Sequence, residues 1–141
     1  MNETLNYKDL PVVQRAFELV RAVDNFVQSV PSTPQGRTIG DQLFRSATSI
    51  GANIAEGRGR DIGKEYERSL RIARASANET DCWLRVAFDC KLITAQFSEH
   101  MLGLTDECVR MLSSMITRLR STRDSSVREA AAEYIIEDSD L

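Results

Sequence analysis

From Val12 to Val30 the apolar residues Val12, Ala16, Leu19, Val20, Val23, Phe26, Val27 and Val30 recur every three or four positions. That period predicts a first helix ending at Pro31. PSTPQG (31–36) reads as a turn, because its prolines and glycine are poorly suited to continuing a helix. Leu43, Ala47, Ile50 and Ile54 predict a second helix, and beside them Ala47, Gly51 and Ala55 form a row of small residues. Such a row lets a neighbouring backbone approach closely, at some cost in helix propensity at the glycine. GRGR (57–60) ends or kinks this helix. A long third helix is predicted from Asp61 to Leu92, with Tyr66, Leu70, Ala73, Ala77, Leu84 and Phe88 on one face.

Thr94 is placed to cap a fourth helix. Its apolar set is Phe97, Met101, Leu104, Cys108, Met111, Leu112, Met115 and Leu119, with a second row of Leu102, Val109 and Ile116. Together they cover about half the helix circumference, more than a surface helix needs. Two readings stand: a central helix within one bundle, or a second row that meets another subunit. After Ser121 the pattern gives way to STRDSS, and VREAAAEYIIEDSDL closes the chain, where Ala130, Tyr134 and Ile135 suggest a brief docking helix. Isolated helices that short are marginal.

Four such helices with short connections predict an all-α fold, an antiparallel up-down-up-down four-helix bundle over residues 1–123 with an acidic tail over 124–141. At 141 residues the chain suits one domain, with roughly 70% of the unfolded surface buried. Its net charge of −3 is unevenly spread. Residues 124–141 hold one arginine against six acids, and the remainder carries 17 Lys and Arg against 15 acids. Cys82, Cys90 and Cys108 lack CxxC spacing, so reduced thiols serving as small apolar core residues are expected. The N-terminal MNETLNYKDL has no charged segment leading into an apolar run, and no stretch approaches the ~18–20 apolar residues of a membrane span. A cytoplasmic protein with no membrane contact is the expectation.

Material for catalysis is sparse. His100 is the only histidine, which is poor provision for a metal site or a catalytic dyad. GRGRDIGKE (57–65) faintly resembles a phosphate-binding loop, but Arg58 stands where glycine is required and Glu65 where serine or threonine is. Glu56/Arg60 and Glu67/Arg71 are spaced for i,i+4 ion pairs on a solvated face. These residues predict a non-enzyme with no cofactor and no metal.

The charge pattern reaches further. With Arg60 at 0° and ~100° per residue, Lys64, Arg68, Arg71 and Arg74 fall on the same third of helix three, interrupted only by Glu67. Arg45 and Arg58 add charge nearby. Arginine is suited to bidentate phosphate contact. The bland alternative is a solubilising face, or ion pairs within the fold. No aromatic residues alternate with these cations, which leaves base stacking little support.

YKDLPVVQRAFELV (7–20), QLFRSATSIGANIAEGRGR (42–60) and EYERSLRIARASANE (65–79) resemble the S23, or 23S rRNA intervening-sequence, family of four-helix-bundle proteins over roughly residues 5–120. The SI-x-x-NIAEG-x-GR stretch is the most specific part. The resemblance implies a left-handed bundle assembled as a ring-like homopentamer. It also brings in a related bundle, the accessory protein of diversity-generating retroelements, which pairs with a reverse transcriptase and binds nucleic acid through basic surface. The matched positions are Arg45, Ser49, Asn53, Glu56, Gly57, Arg60, Glu65, Arg71, Arg74 and Glu79. Asn53 and Glu56 could bond to Arg71 or Arg74 and fix the angle between helices, or the arginines could line a phosphate surface. Val13 and Asp24 stand where the family often has aromatic residues.

The expectation is therefore a non-enzymatic, homo-oligomeric bundle that binds nucleic acid, RNA of the rRNA type or an RNA or DNA associated with a reverse transcriptase, through Arg45, Arg58, Arg60, Lys64, Arg68, Arg71 and Arg74, with Asn53, Glu56, Gly57 and Glu79 structural. The alternative is a scaffold for a protein partner, a reverse transcriptase or another, with the arginines in structural salt bridges. The acidic tail could also occupy the basic face in place of nucleic acid.

Overall fold

The computed structural model describes residues 6–60 and 63–139, with side chains to residue 133. A 3₁₀ turn over Tyr7–Asp9 leads into α1 (Pro11–Ser29), α2 (Pro34–Arg58), α3 (Lys64–Asp89) and α4 (Ala95–Ser139), and no strand occurs among the described residues. α2 packs on α1 and α3, and α4 closes the bundle by packing on α3 and α1.

The first connection is shorter than PSTPQG suggested. Pro34 sits in the first turn of α2, where its missing N–H costs nothing, and the Thr33 hydroxyl accepts from the Gly36 amide at 3.1 Å. A cap of this kind contributes about 1 kcal/mol. The prolines thus start a helix whose first turns bury Ile39 and Gly40.

α3 begins at Lys64 after Gly63, whose φ of +117° is open to glycine and strained for other residues. Asp61, the expected first residue, lies outside the described residues. The helix ends at Asp89, three residues before the expected Leu92. There Lys91 takes φ 59° and the Leu92 amide donates to the Ala87 carbonyl, a left-handed stop made without glycine. Thr94 does cap α4, its Oγ1 accepting from the Phe97 amide at 3.4 Å.

The largest departure is at the other end of α4. STRDSS continues the helix, which runs unbroken to Ser139, so no separate docking helix forms around Ala130. Every residue from 124 to 133 is exposed, so this part of the tail does not lie on the basic face of its own chain. The side chains of Tyr134 and Ile135 lie outside the described residues.

The core follows the apolar periods: Val12, Val13, Ala16, Leu19 and Val23 of α1, Leu43, Ala47, Ile50 and Ile54 of α2, Leu70, Ala73, Ala77 and Leu84 of α3, and Met101, Leu104, Cys108, Leu112 and Ile116 of α4. Each fully buried large aliphatic contributes about 1.5–3 kcal/mol. Ile116, from the second row of α4, belongs to this core, while Leu102 and Val109 pack half-buried against it. Phe88 and Phe97, expected on core faces, are exposed. Of the cysteines only Cys108 is buried; Cys82 and Cys90 face solvent.

One polar contact is buried between α2 and α3. The Thr80 and Ser46 hydroxyls lie 2.9 Å apart, with the Ser76 and Leu43 carbonyls in reach of the remaining hydrogen. Nearer the joint, α2 and α3 almost touch: a Cβ added at Gly57 would stand 2.3 Å from the Ser69 Cβ.

Candidate nucleic-acid interface

The cations expected on one surface divide into three environments. Lys64 and Arg68 are exposed on the first turns of α3, and Arg45 is exposed on α2; none of the three has an ion pair among the described residues. Arg60 precedes α3 rather than lying on it, and pairs with Glu56 at 2.8 Å and Glu65 at 3.7 Å. Arg58 and Arg74 are half-buried, while Arg71 stays exposed and pairs with Glu67. The half-buried Arg74 donates from Nη1 to the Ser113 Oγ of α4 at 3.2 Å. Arg58 lies over the Tyr66 ring, 5.9 Å from its centroid, and reaches the phenol oxygen at 3.4 Å. Tyr66 is thus an aromatic partner of one cation, but at 8% exposure it offers no open stacking face.

Glu67 is the organising residue, and it is not on a solvated face. It is 8% exposed, covered by α4. Arg123 donates from Nη1 to its Oε2 at 3.0 Å, while Arg120 Nε and Arg71 Nη2 lie 3.6 and 3.5 Å from Oε1. The Arg123 hydrogen bond, helped by the charges of Arg71 and Arg120, holds the Glu67 carboxyl below its ordinary pKa even though burial pushes the other way. Three guanidinium groups meet one carboxylate, so the seam between α3 and α4 keeps a surplus of positive charge.

Arg120 and Arg123 were missed because the helical pattern looks finished at Ser121. The signal was present in RLRSTR (118–123), whose arginines stay on a helix once STRDSS is read as helical.

Three of the four residues expected to be structural act locally. The Asn53 amide donates to the Ser49 carbonyl at 2.7 Å, Glu56 holds Arg60, and Glu79 accepts from the Trp83 indole at 3.2 Å. Neither Asn53 nor Glu56 reaches Arg71 or Arg74. The close approach of α2 and α3 is set instead by Gly57 against Ser69, with the Ser46–Thr80 pair farther along.

Beside this seam are two open cavities that share Met115 and Arg118. One, about 500 Å³, is lined by Arg58, Gly63, Tyr66, Met115, Arg118, Leu119, Thr122, Arg123 and Ser126. The other, about 600 Å³, lies toward α1, with Leu10, Pro11 and Val12 opposite Met111, Met115 and Arg118. Both are mainly apolar. No group of three or more His, Cys, Asp or Glu suited to a metal occurs among the described residues, and no described helix is long and apolar enough to cross a membrane.

No curated protein matches the chain. Among solved structures, the chain is similar to a crystal structure at 1.70 Å of a protein of unknown function from the S23 ribosomal protein family of Bacteroides thetaiotaomicron VPI-5482. The identity is 28% and the TM-score 0.66, over 74% of this chain and 97% of that one. Residues 8–114 match the family described as 23S rRNA-intervening sequence protein, an interval that holds the first three helices, the joint at Gly57 and Glu67, and the start of α4. The chain belongs to the 23S rRNA-intervening sequence protein family.

Proposed function

We propose that this protein is a non-enzymatic, homo-oligomeric bundle that binds nucleic acid, RNA of the rRNA type in the first instance, along the basic surface of α3 and the adjoining seam with α4. The observation that carries this reading is the surplus of cations: three arginines around the single carboxylate of Glu67, with Lys64 and Arg68 exposed beside them and without ion pairs among the described residues. Lys64 opens α3, where a cation opposes the helix dipole by about 0.3–1 kcal/mol. A phosphate at that end would turn the same position into an asset. The family's name, which refers to 23S rRNA, points the same way.

The up-down-up-down arrangement belongs to this reading. Gly57 meets Ser69 while Ser46 meets Thr80, and Glu67 meets Arg123 while Arg74 meets Ser113, so positions rise on one helix as they fall on the next. Exposed Phe17, Phe44, Ile72, Phe88 and Phe97 favour an oligomer, which we take to be a pentameric ring in the cytoplasm.

A second reading, a scaffold for a protein partner such as a reverse transcriptase, is favoured by one observation: Arg60, Arg71 and Arg74 each have a partner inside the fold. Reversing charge at Arg71 or Arg74 would therefore disturb the fold together with the surface. The cleaner variant is Lys64→Glu/Arg68→Glu. Fluorescence anisotropy of a structured RNA hairpin, titrated from low to physiological salt, should show binding that falls by about 0.9 log unit per log unit of salt for each phosphate contact. The double variant should lose that binding and keep the wild-type oligomer size. Absence of wild-type binding at low salt, or an unchanged double variant, would transfer the weight to the scaffold.

A further inference from the structure

The end of α4 leaves the bundle uncovered. Ser126 lines the cavity between α4 and the body, and the helix continues from there to Ser139, about 20 Å at ~1.5 Å per residue. This overhang lies beyond the interval matched by the family. Val127 is 62% exposed, and Ala130 and Ala131 continue an apolar stripe from it at helical spacing, which the sequence extends with Tyr134. By the same register Glu133 borders the stripe, followed one turn later in the sequence by Glu137. Glu133 has no ion pair among the described residues.

The two cavities that share Met115 and Arg118 have the opposite character. Tyr66, Met115 and Leu119 contribute apolar lining to the 500 Å³ part of this trough, and Arg118 and Arg123 carry positive charge along it. Arg118 is exposed and has no ion pair among the described residues. The stripe has Glu133 along one border and Arg128 along the other, and its acidic edge matches an apolar trough with basic walls. The overhang cannot reach the trough of its own chain, because that trough is walled by the preceding turns of the same unbroken helix.

We propose that the overhanging end of α4 docks in this trough on a second copy of the chain, Val127 and the alanines against Met115 and Leu119, and Glu133 beside Arg118. The acidic tail is then an intermolecular strap, set by each subunit on a neighbour at the edge of the basic seam.

The experiment uses full-length chains in which the exposed Cys82 and Cys90 are serine. One pool carries Thr122→Cys in the trough, the other Ala131→Cys in the overhang, and the pools are mixed and oxidised with copper–phenanthroline in air. A disulfide joining the two kinds of chain is expected, well above that given by Gln28→Cys in place of Thr122→Cys. Arg118→Glu on the trough chain should lower the yield several-fold, as should Glu133→Arg/Glu137→Arg on the tail chain. Combining the two reversals should restore it, which a merely damaged fold could not do. A yield no greater than with Gln28→Cys, or one indifferent to both reversals, would overturn the proposal.

Discussion

Replacing Gly57 with alanine should destabilise the protein, although the same change ordinarily strengthens a helix. Alanine is favoured over glycine by about 1 kcal/mol in a helix interior. Here the added methyl would lie 2.3 Å from Ser69 Cβ, 2.7 Å from Ser69 Oγ and 3.2 Å from Tyr66 Cδ2. Carbon atoms pack best at about 3.5–4.0 Å, and a Cβ cannot rotate out of the way. The helices must therefore part by more than an ångström where Ile54 and Leu70 are fully buried. Overpacking of this kind costs about 1–3 kcal/mol or more, so Gly57→Ala should emerge less stable by up to about 2 kcal/mol or more once the helix gain of about 1 kcal/mol is subtracted. Gly103 provides the opposite case, exposed within α4 with nothing within 4 Å of an added Cβ, and Gly103→Ala should stabilise by about 0.5–1 kcal/mol. Urea unfolding of both variants, with Ser69→Gly added to the first, measures the difference. Ser69→Gly should offset part of the Gly57→Ala loss, a coupling expected of residues in contact. If both alanines shift stability in the same direction, the tight joint between α2 and α3 is refuted.

Glu67→Gln should cost about 1–3 kcal/mol at neutral pH. Because the folded carboxyl titrates below its ordinary value of 4.5, the stabilisation is full above that value and is lost as pH falls through the folded pKa. The gap between wild type and variant, followed by urea unfolding from pH 7 to pH 3, should close at the acid end, and a constant gap would count against the ion cluster. Burial, with Glu107 alongside, pushes the Cys108 thiol up to about 12, whereas Cys82 and Cys90 are exposed. A thiol reagent at pH 8 should therefore modify Cys82 and Cys90 in the folded protein and Cys108 only after unfolding, as mass spectrometry would show. Lys91→Gly should stabilise by about 0.5–1 kcal/mol in thermal or urea unfolding, because it relieves the left-handed φ of 59° at the end of α3.

The helical periods and the core were legible because each depends on spacing within a single helix. Leu43, Ala47, Ile50 and Ile54 are all fully buried, as their intervals imply. The boundaries were harder where one signal has two meanings. Pro34 and Gly36 look like a turn until Thr33 is seen as a cap with proline at the first helical position. The end of α3 carries no glycine to announce it, and STRDSS has neither glycine nor proline to stop α4. The site was legible in part: Lys64 and Arg68 are exposed where the helical wheel placed them. The burial of Glu67 was not, because its cover comes from Arg120 and Arg123, more than fifty positions away in sequence.

Glu67 also explains why charge alone is a poor guide to this surface. A carboxylate buried with one arginine would be near neutral and worth little net stability after desolvation. Three arginines leave the cluster cationic, and one of them, Arg123, is only about a third exposed, so its charge is tied to the packing of α4 on α3. The arginines at the seam therefore serve the fold and the surface together, since removing any of them weakens the contact that presents the others. Lys64 and Arg68 stand outside this coupling, exposed and without ion pairs among the described residues. Lys64 even sits at the helix end where a cation is least welcome. Lys64 and Arg68 are therefore the cations on which the proposed nucleic-acid reading depends, and a phosphate backbone running past the start of α3 is the partner that reading requires.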